Sequence, residues 1–305
     1  MRFELPRRAG GIRYGPVDHS NTSSRHLQAL TTLIDDTSPV VRRSLLTHFE
    51  QLGEPARALL RQVARGANRV AATHAQWYLG ELRWTDPTSE FTHFIRSLNY
   101  ELESGAILIA RVADPKTNAA SVCATLDAIA SRCRELMVEP LSPWQKCNVI
   151  NRVLFHELGF RGNVGHYNDP LNSLIHRVLE RRTGLPLTLS IVYLLVADRC
   201  GVTLEPVALP GHFVVGCFTE EDPVYIDPFR GGAVSSRDDL MAWLVGNDLP
   251  RDDASLAPTT IRETLARCCR NLAAHYVSAG DDDLARQFAA FDEEFESTYR
   301  ENMPP

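Results

Sequence analysis

From Leu187 to Ala197 the chain is apolar almost all round (Leu187, Leu189, Ile191, Val192, Tyr193, Leu194, Leu195, Val196), and Pro186 stands immediately before this run. A helix with no polar face is stable only when protein surrounds it, which makes this one the buried centre of its domain. Proline lacks an N–H and has a fixed φ, so it suits the first helical position and starts the helix at residue 186. Segments rich in β-formers follow at 205–209, 213–218 and 224–226. They predict a small antiparallel sheet packed on the helix, and the fold class is α+β.

The 305 residues are 44% hydrophobic and 23% charged, the composition of an ordinary soluble protein of two or three domains. The pattern divides them into a flexible N-terminal arm over 1–24, helical hairpins over 25–85, the α+β domain with a helical lead-in over 86–250, and a last helical hairpin over 255–300. Leu27, Leu30, Leu33 and Ile34 make an apolar stripe, and turns at 35–39 and 52–55 separate further stripes. The two segments Val40-Val41-Arg42 and Asn68-Arg69-Val70 follow such turns and resemble HEAT-type repeats, whose units pack on their neighbours and present binding surfaces. Leu265, Leu272 and Tyr276, a turn at Gly280-Asp281, then Leu284, Phe288, Phe291 and Phe295 resemble one tetratricopeptide-like unit. A single unit is too small to stand alone and is expected to pack on the core.

A net charge of −6 provides no overall attraction to nucleic acid or to an anionic membrane. The arginines near the start (Arg2, Arg7, Arg8, Arg13, Arg25) are scattered among Gly, Pro and Ser and read as a solvated arm. No apolar run approaches the ~20 residues that span a bilayer, and the N-terminus lacks the apolar stretch of a signal peptide, so a cytoplasmic location is expected. Seven cysteines without CxxC spacing argue against a disulfide framework and a cysteine-rich zinc site. Cys268 and Cys269, adjacent on one helix, are expected to be buried as small apolar residues. No cofactor is indicated.

Around the central helix lie Tyr167-Asn168-Asp169-Pro170-Leu171-Asn172-Ser173, Val178-Leu179-Glu180-Arg181-Arg182-Thr183-Gly184-Leu185-Pro186, Leu209-Pro210-Gly211-His212-Phe213 and Asp227-Pro228-Phe229-Arg230-Gly231-Gly232. These long blocks resemble the SirB1 family of transglutaminase-like proteins, and the resemblance covers roughly the last two thirds of the chain. It implies a papain-like core in which a Cys at the start of the central helix pairs with a His and an Asp on neighbouring strands. Carried over position by position, the Cys falls on Pro186, the His on His212 and the Asp on Asp227. The thiol is absent, and the SirB1-like branch as a whole tends to share that feature.

No other nucleophile is well placed. Ser190 lies one turn along the helix, about 6 Å in axial rise from Pro186, and Thr188 is rotated by about 200°. Cys200 would be about 21 Å up a straight helix, and Cys217, five positions from His212, points to the other face of an unbroken strand. A His with no nucleophile in hydrogen-bond reach is not a base for acyl transfer. The structural role for His212 is a ring satisfied by Asp227 and a backbone carbonyl. His166 and His176 lack ligand spacing, so no metal is expected. Asn172, Ser173, Arg181, Arg182, Phe229 and Arg230 are the candidate binding residues at the pocket entrance. Asn172 also suits the N-cap of a helix from Ser173 to Arg182, whose C-terminal end the two arginines would stabilise.

Two functions follow. One is a catalytically degenerate domain that binds a protein or peptide in its former substrate cleft. The other is an amide-directed hydrolase or acyltransferase with His212 as base, Asp227 as its orienter and a non-standard nucleophile such as Ser190.

Overall fold

The computed structural model describes residues 30–303 apart from 37, 83, 85 and 219–221. The arm expected over 1–24 lies outside the described residues. The chain separates into two compact units, Met1–Asp86 and Pro87–Pro305.

The first unit is helical, with α1 (Pro39–Leu52), α2 (Glu54–Ala64) and α3 (Arg69–Glu81). Gly53 at φ 62° ends α1 and leads directly into α2, a left-handed position that glycine occupies without strain. Asn68 caps α3 by accepting from the N–H groups of Val70 and Ala71. Leu30, Ile34, Leu45, Phe49, Leu60 and Tyr78 form its core, with the Phe49 and Tyr78 rings edge to face at 5.2 Å.

The second unit begins with α4 (Pro87–Arg96), α5 (Leu102–Ala113), α6 (Ala119–Leu136) and α7 (Pro143–Asn151). A π-helical turn over Arg152–Glu157 continues α7. Strands β1 (Arg161–Gly162) and β2 (Thr183–Gly184) pair in parallel around α8 (Ile175–Arg181). The central helix α9 (Pro186–Arg199) is buried from Pro186 to Ala197. Its far end is tied by Arg199 to Glu103 and to Asp127, each at 2.7 Å.

Strands β3 (Glu205–Val207), β4 (Val214–Cys217), β5 (Val224–Asp227) and β6 (Ala233–Ser235) form an antiparallel sheet in that order. β4 is buried along its whole length instead of alternating, because both faces are covered. Val215 and Ile226 belong to the core around α9, whereas Val214 and Tyr225 belong to a second cluster with Leu240, Met241 and Leu244 of α10 (Arg237–Gly246). The sheet is thus a layer between two helices.

Helices α11 (Ile261–Ala279) and α12 (Asp282–Asn302) form a hairpin through Gly280, at φ 77°. Both join the main core. A Cβ on Gly105 of α5 would lie 2.4 Å from Leu265 Cδ1 of α11, and Phe91 of α4 meets Phe291 of α12 edge to face at 4.8 Å. Among the described residues no helix is long and apolar enough to cross a membrane.

Three local expectations need correction. His212 precedes β4 instead of sharing its strand, so face alternation does not relate it to Cys217. Asn172 is not the N-cap of α8, which starts at Ile175 after Leu174 with no side-chain cap. It sits in a 3-10 turn over Pro170–Ser173, where the Asp169 side chain accepts from Leu171 N–H. The helix also ends earlier than Arg182, whose φ of 53° is left-handed.

Candidate functional site

The segment Leu209-Pro210-Gly211-His212 is a tight turn closed by His212 N–H donating to Leu209 O at 3.1 Å. Proline at the second position and a glycine at φ 72° in the third are the demands of a type II turn. This turn delivers His212 to the end of the sheet beside the last residue of β5. There His212 Nε2 and Asp227 Oδ2 are 2.8 Å apart, with side chains 12% and 10% exposed. Asp227 also organises the next turn. Its Oδ1 accepts from Phe229 N–H at 3.0 Å and Arg230 N–H at 3.2 Å, capping the 3-10 turn Pro228–Arg230.

The carboxylate therefore holds the imidazole and the following loop at once. With Asp227 accepting at Nε2, a neutral His212 presents Nδ1 as an acceptor, the arrangement of an oriented general base. The Phe229 ring lies 6.1 Å from the imidazole on one side and Trp243 lies 5.7 Å away on another. Phe229 is seated on Gly162, where a Cβ would come within 2.5 Å of the ring.

Arg267 of α11 completes the support. Its Nη1 donates to Leu209 O and its Nη2 to His212 O, both at 3.0 Å, and its guanidinium lies 5.6 Å over the Phe213 ring. Burial holds its pKa below the usual arginine range. A single arginine within a helical stripe carries no sequence signal for this role.

Pro186 is buried at the first position of α9. The residue before it is fixed by Leu185 N–H donating to Asn172 O at 3.2 Å. α9 packs against β4 and against the Pro228–Arg230 turn, the elements that follow His212 and Asp227 along the chain. Asn172 is fully buried, and its side chain is committed within the protein. Its Nδ2 donates to His166 O at 2.7 Å and to Tyr167 O at 3.2 Å, and its Oδ1 accepts from Asn163 at 3.0 Å. It ties the 163–172 loop to the start of α9. Ser173 is buried beside it, and its hydroxyl has no hydrogen-bond partner.

Arg181 pairs with Asp169 at 2.8 Å, and Arg182 donates to Leu158 O at 2.9 Å, so both arginines brace this loop region. Arg230 is exposed too, 3.6 Å from Asp227 with 60% of its side chain accessible. Ser190 is fully buried and its hydroxyl makes no hydrogen bond, to His212 or to any other group. His176 lies against Asp114 at 3.4 Å, on a different part of the unit. Among the described residues no group of three His, Cys, Asp or Glu side chains could hold a metal ion.

A hydrogen bond with Cys133 of α6 lowers the Cys200 pKa, at the opposite end of α9 from Pro186. Burial pushes Cys147 and Cys268 up to about 12 and Cys269 well above its ordinary value. Cys200 Sγ is directed to Ala130 O at 3.8 Å, toward α6.

The family model described as transglutaminase-like superfamily matches residues 120–270, which include Pro186, His212 and Asp227. A UPF0162 protein of Xylella fastidiosa (strain 9a5c) is 35% identical over 196 residues, 62% of this chain and 69% of that protein. Protein SirB1 of Salmonella typhimurium is 26% identical over 126 residues, 41% of this chain and 46% of its own length. F-box only protein 21 of Mus musculus is 40% identical over 128 residues, which are 36% of this chain and 20% of that protein. No solved structure matches the chain at comparable significance. With a superfamily match over the site and similarity over more than two thirds of a UPF0162 relative, the chain belongs to the SirB1-like family of transglutaminase-like proteins.

Proposed function

We propose that this protein is a catalytically degenerate member of its family that binds a protein or peptide segment at the His212–Asp227 site. The observation that carries this is the start of α9. The residue there is a buried proline, and no thiol or hydroxyl among the described residues is hydrogen-bonded to the His212 ring. An imidazole and a carboxylate without a nucleophile cannot form an acyl-enzyme. What remains is a partly exposed aromatic and cationic rim of Tyr167, Phe229, Trp243 and Arg230, the residue types that hold segments of another chain.

The test is selection from a synthetic library of random heptapeptides on the full-length protein, followed by hydrogen exchange with a selected peptide bound. Added protection is expected over 209–214 and 224–231. Protection confined to other segments, or failure to select any peptide, contradicts the proposal.

One observation supports a second reading, hydrolysis by water. The 2.8 Å dyad is intact, and Nδ1 of His212 has no hydrogen-bond partner among the described residues. Turnover of a fluorogenic amide or ester panel that disappears in His212→Ala would establish it; no turnover above the buffer rate would remove it.

A further inference from the structure

Three arginines of α11 face different fates. Arg262 is paired with Glu296 at 2.9 Å and Arg270 with Asp292 at 2.8 Å. Arg267, half-buried between them in sequence, has no carboxylate within ion-pair distance among the described residues; its hydrogen bonds go to Leu209 O and His212 O. A guanidinium carries five N–H donors in a rigid fork, so two carbonyl bonds leave three unused. A cation withdrawn from water, with hydrogen bonds to neutral carbonyls, the Phe213 ring at 5.6 Å and Glu263 acting only from beyond ion-pair distance, is under-compensated, and an anion beside it would restore that loss. In a chain of net charge −6 with 38 acidic residues, the want of an acid at this one place is a local property of the site.

The surroundings fit an incoming chain. Tyr167, 41% exposed, lies near Arg267 and meets Phe229 at 6.1 Å and His275 at 6.4 Å, edge to face in both cases. It gives an apolar wall with a polar tip next to the cation. The guanidinium itself is held still by the turn that carries His212, so little entropy is lost when it grips a ligand.

We infer that Arg267 is the point at which the bound segment is held through a carboxylate, either an Asp or Glu side chain or the free C-terminal carboxyl group of a peptide. This rests on the binding function proposed above and names the chemistry of its partner. The carboxylate would be met by the N–H donors that the Leu209 and His212 carbonyls leave unused, at the turn that carries His212.

The experiment uses the heptapeptides selected on the full-length protein, each resynthesised with Glu→Gln or Asp→Asn replacements and, separately, with an amidated C terminus. Binding is followed by fluorescence anisotropy. One of the two changes is expected to weaken binding roughly tenfold to a hundredfold, the loss that follows from deleting a hydrogen-bonded charge partner. Which change does so identifies the side-chain or the C-terminal source.

Arg267→Gln in the protein is expected to produce the same loss and to become indifferent to the peptide change, and Arg267→Lys to recover part of the affinity. Because Arg267→Gln can also loosen the His212 turn, the peptide replacements on unaltered protein decide the matter. If peptides that protect 209–231 bind equally well as neutral, amidated analogues, the carboxylate assignment is wrong while the binding function stands. If no selected peptide protects that region, both fall together.

Discussion

Removing the Asp227 side chain tests how much of the site's order depends on one carboxylate. In Asp227→Ala the Pro228–Arg230 turn loses the acceptor for Phe229 and Arg230 N–H, and His212 loses its 2.8 Å partner. Loss of a cap costs about 1 kcal/mol. Loss of a charge-assisted bond between groups roughly nine-tenths buried adds about 1.5–3 kcal/mol. The sum, about 2.5–4 kcal/mol, is a large share of the ~5–15 kcal/mol that stabilises a folded domain.

Asp227→Asn separates the two contributions. Its Oδ1 still serves the turn, while its amide nitrogen faces Nε2 as a donor and forces the His212 proton onto Nδ1. That exchange of a charged for a neutral hydrogen bond is expected to cost only about 1 kcal/mol. Urea unfolding followed by tryptophan emission in a variant that keeps only Trp243 of the four tryptophans, 5.7 Å from the imidazole, measures the stabilities, and long-range ¹⁵N–¹H spectra of the His212 ring report the tautomer. Equal costs for Ala and Asn, or a cost below about 0.5 kcal/mol for Ala, would refute the claim that Asp227 organises both the ring and the loop.

Gly162→Ala places a Cβ 2.5 Å from the Phe229 ring, so a cost of about 1–3 kcal/mol is expected, falling sharply in a Phe229→Ala background; a cost unchanged in that background would show that ring contact is not the cause. Burial lowers the His275 pKa, so the unfolded chain binds more protons than the folded one as the pH falls below about 6.5, and stability declines from pH 7 toward pH 5. His275→Phe is therefore expected to shrink the difference in urea midpoint between pH 7 and pH 5, leaving the part due to groups such as His176, likewise lowered by burial; an unchanged difference would contradict this.

The central helix was legible because its signal is redundant: an apolar run on every face and a proline where a helix can begin. The helical lead-in expected before it is present as α5 and α6, which bury Leu102, Ala106 and Ile109 and Leu126, Ile129 and Cys133 at helical spacing. The π-helical turn over Arg152–Glu157 was not, since Val153 and Leu154 fit the helical stripe whether the turn is α or π. β1, β2 and β6 escaped notice because segments of two or three residues are too short for alternation to register.

Within the site, His212 and Asp227 stood out through Leu209-Pro210-Gly211-His212 and Asp227-Pro228, whose turn chemistry is local. Asn172 looked like a helix cap for the same local reason. Its actual partners, the backbone of His166 and Tyr167 and the side chain of Asn163, depend on how a loop closes on itself. Arg267 reaches the His212 turn across 55 residues, and no pattern near either one announces that contact.

The central claim is that Pro186 occupies, opposite His212 and Asp227, the place where a transglutaminase-like nucleophile would stand. Its most direct test is the pH dependence of iodoacetamide alkylation at residue 186 in Pro186→Cys, read peptide by peptide so that the seven native cysteines do not interfere. At the N-terminus of α9 beside an imidazole, the new thiol is predicted to titrate well below the ~8.5 of a free cysteine and to return toward that value when His212→Ala is added. A thiol that titrates near 8.5 and ignores the His212 substitution would show that residue 186 and the dyad do not share a site.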